Sequence, residues 1–251
     1  MKKILLARAM RVLVMLAIAG AASAAFADIV VINGFKYSGA LDTKISEAGR
    51  TIGSTATPGP HPGQSVDVYA GEFSGINNGK SFSAYCVDIF KYDALNVMTN
   101  YSTSDLNVTF GFTKASDLAK LANQRYGSVT NAKTSAAFQI ATWEILFESA
   151  GSPYKLGSDT FKAVGGSAAS GSSSALTLAQ SWLDGLASSP VTFNYDVNYL
   201  QVASGNQNLV FFTPSSSFIT SSIPEPGTYR LMLAGLGLLG LAARRKKRES
   251  I

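Results

Sequence analysis

The sequence predicts an α+β domain, with a β-sandwich or barrel-like base and a helical insertion. A signal peptide precedes the domain, and a short C-terminal transmembrane helix follows it. Three observations carry this expectation. Strand patterns at 29–37, 65–75, 80–91 and 106–112 come before helical patterns at 115–126, 132–149 and 174–187. Strand patterns return at 190–203 and 207–213, so strands bracket the helices. Both termini carry short apolar runs flanked by cations, unlike anything between them.

The N-terminus comes first. Lys2, Lys3, Arg8 and Arg11 precede an apolar stretch at 12–19, and small residues follow. That order defines a secretory signal peptide, with cleavage by signal peptidase expected after Ala27. The apolar stretch is too short for a spanning helix.

The exported body follows. The whole chain has a net charge of +5, but the ends supply the excess. Residues 28–223 hold 11 cations and 14 acids, a net of −3. A mildly acidic body with no basic patch argues against nucleic acid as a partner. Its 196 residues suffice for one domain with a sizeable core. We place that domain at 28–213. The Pro-, Gly- and Ser-rich stretches 55–64 and 164–174 read as surface loops. Residues 214–223 read as a linker.

The first strand-rich half ends in "SAYCVDIF", which holds the chain's one cysteine, Cys86. A single cysteine cannot form an internal disulfide, so an exported chain carrying one raises a question. Strand alternation puts Phe82, Ala84, Cys86 and Phe90 on one face, which suits a small buried hydrophobe. The helical half contains "AAFQIATWEILFE", residues 136–148. At 100° per residue, Glu144 and Glu148 define a solvent face with Ala137 and Ala141. Gln139 then points to the core, beside Thr142, Trp143 and Leu146. A buried amide without partners costs about 1–3 kcal/mol. Hydrogen bonds to nearby backbone satisfy it in the ordinary case. A cysteine thiol offers another route, because it can displace ammonia from a glutamine amide and leave an internal thioester. Both readings stand on the residues alone.

These stretches resemble the thioester domains of bacterial surface adhesins. The resemblance covers 66–148 and rests on Tyr85-Cys86-Val87 and on Gln139-Ile140-Ala141-Thr142-Trp143. It implies that Cys86 and Gln139 form the bond, with Tyr85, Val87, Ala141 and Trp143 as motif neighbours. It also implies an amine-bearing protein or polysaccharide as partner.

Other chemistry is thin. His61 is the one histidine and sits between prolines, so no Ser–His machinery is expected. No Cys/His cluster predicts a metal site, and no cofactor or enzymatic activity is expected. Asp88 and Asp93 read as a polar strand end and turn. Asp67 and Glu72 lie on a strand pattern without an evident partner.

The chain closes with "IPEPGTYRLMLAGLGLLGLAARRKKRES". Residues 231–243 lack polar side chains and span roughly 20 Å as a helix, short for a bilayer core of about 30 Å. Arg230 can snorkel to the interface. Arg244, Arg245, Lys246, Lys247 and Arg248 hold the end on the cytoplasmic side. Pro224, Glu225 and Pro226, the short helix and the cation cluster resemble the PEP-CTERM sorting signal of Gram-negative bacteria, here at 224–251. The resemblance implies processing by exosortase, a transient inner-membrane anchor, and a final place at the cell surface or in an exopolysaccharide or biofilm matrix.

Overall fold

The computed structural model describes residues 28–47, 65–89, 91, 94–186, 194–203 and 205–215. The chain divides into two compact units, 1–214 and 215–251. All the secondary structure described here belongs to the first.

Among the described residues, nine strands and four α-helices build that unit. The strands are β1 Asp28–Phe35, β2 Leu41–Glu47, β3 Ser65–Ala70, β4 Phe73–Asn77, β5 Lys80–Cys86, β6 Met98–Ser104, β7 Phe161–Val164, β8 Tyr195–Val202 and β9 Leu209–Pro214. The helices are α1 Leu106–Phe110, α2 Phe112–Arg125, α3 Ala132–Phe147 and α4 Ala175–Asp184. Six strands close an antiparallel barrel in the order β1-β4-β5-β9-β8-β6, with β6 pairing back onto β1. Three more form a small antiparallel sheet, β3-β2-β7. The expected α+β class holds, and the base is a barrel.

Both departures from the barrel begin and end on neighbouring strands. β2 and β3 lie in sequence between β1 and β4, which pair. The helices and β7 lie between β6 and β8, which also pair. The barrel therefore closes locally while the excursions build a second layer. α3 is the centre of that layer and packs against α2, α4 and the small sheet. From Ser135 to Phe147 every residue of α3 is buried. A helix covered on all sides has no solvent face, so the expected one, marked by Glu144 and Glu148, does not exist. Both glutamates are fully buried.

Local chemistry explains several boundaries. The expected strand 106–112 is helical instead. The Asp105 side chain accepts the Asn107 N–H at 2.8 Å and caps α1, while Gly111 at φ 87° ends it. The strand lies just upstream, as β6. The expected strand 65–75 breaks at Gly71 and Glu72, giving β3 to the small sheet and β4 to the barrel. α3 starts with a capping box in which Asn131 and Thr134 exchange side-chain and backbone bonds. The stretch 164–174, expected as loop only, includes the end of β7 and a short 3₁₀ turn, Ser167–Ala169. The loop at 55–64 lies outside the described residues.

One glycine is required by close approach. Gly75 sits opposite Ile32, next to the irregular register between Ile32 and Gly34. A Cβ there would run into the Val31 carbonyl oxygen, which is backbone and has no rotamer to give way. We expect Gly75→Ala to cost about 1–3 kcal/mol, read as a lower urea midpoint at constant m. An unchanged midpoint would show that β1 and β4 separate there without cost.

Candidate functional site

Cys86 is the last residue of β5, where it pairs with Leu209 of β9. Strand alternation gives way there, because Ala84, Tyr85, Cys86 and Val87 are all buried. α3 covers one side of this strand end. Tyr85 and Phe138 bring their ring centroids to 4.9 Å, and Phe138 meets Phe212 of β9 at 5.3 Å. These contacts set the next residue of α3, Gln139, against the backbone of Cys86.

The Gln139 amide spans that backbone at both ends. Its Oε1 accepts the Cys86 N–H at 3.0 Å, and its Nε2 donates to the Cys86 carbonyl at 2.8 Å. Gln139 is 1% exposed and Cys86 4%. The buried amide thus has a partner for its oxygen and one for its nitrogen. The thiol donates to the Asp88 carbonyl at 3.1 Å. The two residues are 53 apart in sequence, and the fold brings the Gln139 amide onto the Cys86 backbone.

The chain leaving Cys86 is held against the start of β9. The Val87 N–H donates to the Asn208 carbonyl at 2.9 Å. Asp88 Oδ2 accepts the Asn208 N–H at 2.8 Å and lies 3.1 Å from Lys91 Nζ. Asp88 is therefore a turn-fixing residue, as expected. Val87 and Ala141 are fully buried, and Trp143 is 2% exposed. Thr142 Oγ1 and Trp143 Nε1 are buried without a hydrogen-bond partner.

A second polar cluster lies one helical turn before Gln139, and the sequence did not reveal it. The Ser135 hydroxyl accepts the Glu72 N–H at 2.6 Å. Glu72 accepts the Tyr126 phenol at 2.7 Å, and Lys36 Nζ lies 3.1 Å from its other oxygen. The Glu72 side chain is 1% exposed. Burial, reinforced by Glu72, pushes the Tyr126 phenol far above its ordinary range. Tyr85 is pushed the same way, first by burial and then by Glu72. Asp67, by contrast, is an exposed strand residue 4.0 Å from Lys44.

A third cluster occupies the opposite side of α3. Glu148 accepts backbone N–H bonds from Ser149, Thr160 and Phe161, at 2.7, 3.1 and 3.1 Å. Those bonds draw the segment before β7 over the helix. Glu144, one turn earlier, has no hydrogen-bond partner at either carboxylate oxygen. Burial first, and Glu148 second, push its carboxyl from 4.5 up to about 8, while the Lys155 backbone acts in the opposite direction.

Among the described residues no cluster of His, Cys, Asp and Glu suits a metal ion, and no helix is long and apolar enough to cross a membrane. Ala27, His61, Phe90, Asp93, Pro224, Glu225, Pro226 and the cations at 244–248 lie outside the described residues.

A search of curated proteins finds no match. Among solved structures, the chain is similar to the N-terminal domain of the Streptococcus pyogenes pilus tip adhesin Cpa. The identity is 13% and the TM-score 0.40, over 72% of this chain and 98% of that one. Residues 222–247 match the PEP-CTERM protein-sorting motif. That match covers the expected Pro-Glu-Pro triplet, the apolar run and all but the last cation of the cluster. The motif implies processing by exosortase, and so an exported protein held transiently in the membrane. The chain carries a PEP-CTERM sorting signal at its C-terminus.

Proposed function

We propose that the exported domain is a covalent binding module of the cell surface or extracellular matrix, without enzymatic turnover, that acts through a Cys86–Gln139 thioester. One observation carries the reading. A buried glutamine amide is held at both ends by the backbone of the chain's one cysteine. Bond formation needs a thiol, a carboxamide, proximity and shelter from water; both groups are present, both residues are buried, and the Gln139 amide lies against the Cys86 backbone. Cys86 Sγ adds to Gln139 Cδ and forms the S–C bond. The Cδ–Nε2 bond breaks, and the thiol proton leaves with the nitrogen as ammonia. To reach Cδ, the thiol must rotate away from the Asp88 carbonyl. The Cys86 N–H already points at the acyl oxygen, where negative charge develops during attack. An amine on a protein or polysaccharide partner then attacks the acyl carbon. A C–N bond forms, the C–S bond breaks, and an amine proton passes to the Cys86 sulfur.

A second reading keeps the same pair as plain core residues in a structural or carbohydrate-binding protein of an exopolysaccharide or biofilm matrix. It is favoured by the satisfied amide and by the thiol donating to the Asp88 carbonyl. Intact mass of the exported protein separates the two. The first reading expects one ammonia less than the sequence requires, and no C-terminal tail beyond the Pro-Glu-Pro region. A full mass for the body, with Gln139 intact by peptide mapping, would overturn the covalent reading. Mature surface material that retains residues 231–245 would count against tail removal.

A further inference from the structure

Two buried donors beside Gln139 have nothing to bond. Thr142 Oγ1 and Trp143 Nε1 both lack a partner, and their residues are 0% and 2% exposed. A helical threonine commonly returns its hydroxyl to the carbonyl four residues back, and Thr142 does not. Buried polar groups are normally paired, so two orphans side by side require a reason. Their positions suggest one. They stand three and four residues after Gln139 on α3 and flank it on the same helix face, at Cβ separations of about 5–6 Å. On the same face and one turn earlier, Ser135 is already committed to the Glu72 N–H.

We propose that Thr142 and Trp143 supply further donors to the acyl oxygen of residue 139 when its carbonyl is attacked. The assignment rests on the thioester reading and names the groups that would drive its chemistry. In the amide form, the Cys86 N–H is the one donor bonded to Oε1. Attack by sulfur, or later by an amine, makes Cδ tetrahedral and puts a full negative charge on that oxygen. Preorganised donors act on that charge, and they cost nothing to reorganise if they are already dry and unengaged. The indole N–H donates only, so it has one possible use there. The hydroxyl can turn to donate as well. No atoms are gained or lost through either group. Both lower the barrier for the same bond changes.

The test uses the exported domain with methylamine as probe, followed by mass at Gln139 and thiol release at Cys86. Thr142→Val keeps the shape and removes the hydroxyl. Trp143→Phe keeps a ring and removes the N–H. Each is expected to slow methylamine addition on the order of 100-fold, the usual cost of losing one such donor. Thr142→Ser is expected to react at close to the wild-type rate. Melting temperatures are measured alongside, because a purely packing role would move stability and leave the rate of folded protein unchanged. A variant that folds but keeps its full ammonia also supports the assignment, at the formation step. If one variant does not fold, the other carries the test. If wild type has lost ammonia and both folded variants react at its rate, the donor assignment alone is overturned. If wild type has lost none, the thioester reading and this assignment fall together.

Discussion

Glu144→Gln is expected to make the domain more stable than wild type at pH 9 and to leave it about equal at pH 5. Glu144 is fully buried, neither carboxylate oxygen has a partner, and Glu148 lies one turn away. Burial and that neighbour raise its pKa from 4.5 to about 8. The sign follows from proton counting. Between those values the folded state keeps a proton that the unfolded state has released, so stability falls as pH rises. The loss begins near 4.5, continues at about 1.4 kcal/mol per pH unit, and ends once pH passes about 8. The full difference is on the order of 5 kcal/mol, about 4 of it between pH 5 and pH 9. Gln is close in shape to the protonated acid and cannot ionise, so it removes this slope. Urea midpoints of both proteins from pH 5 to pH 9 give the comparison, and the difference between them cancels the titrating groups that do not interact with Glu144. Parallel midpoints across that range would mean that Glu144 is solvated and that the segment before β7 does not cover it.

That carboxylate also shows where the sequence could be read and where it could not. Period-3.6 patterning located α3 within two residues at its end, because length and apolar density are local properties. It also aimed Gln139 at the core, and the fold delivers it to Cys86. The same pattern placed Glu144 and Glu148 in water, on the ordinary premise that charge faces solvent. What overturns that premise is tertiary. The backbone N–H groups of Thr160 and Phe161 bind Glu148, and the covering segment belongs to a short strand, Phe161–Val164, with a weak pattern of its own. β2 was missed for a related reason, since "LDTKISE" is polar in alternation and its worth comes from its partners β3 and β7. The helix at 106–110 was different. Asp105 and Gly111, which cap and end it, stand in the sequence, while Val108 and Thr109 carry the β-branched propensity of a strand. The Glu72 cluster had no local signature, because Lys36, Tyr126 and Ser135 come from three separate elements.

Lys36→Met is expected to destabilise the domain by about 2–3 kcal/mol, and Glu72→Gln by clearly less. The asymmetry comes from which partner is buried. Glu72 is 1% exposed in its side chain and Lys36 is 38% exposed. Removing the cation leaves a carboxylate in the interior with the Tyr126 phenol as its remaining side-chain donor. Stranding a buried charge costs about 3–5 kcal/mol, and the partial exposure of Lys36 lowers that figure. Removing the charge from Glu72 instead lets Lys36 extend into water, and the Gln oxygen can still accept from Tyr126. The two changes together should cost little more than Glu72→Gln alone, because no unpaired charge is then left inside. Urea denaturation of the four proteins closes this cycle. The same cluster holds Ser135, through the Glu72 N–H, on the face of α3 that carries Gln139 one turn later. Lys36→Met should therefore also slow methylamine addition at Gln139, if the thioester forms, while Glu72→Gln leaves it near the wild-type rate. Equal losses for the two single variants would show that Glu72 reaches solvent, and that the corner between β3 and β4 is not what fixes the helix.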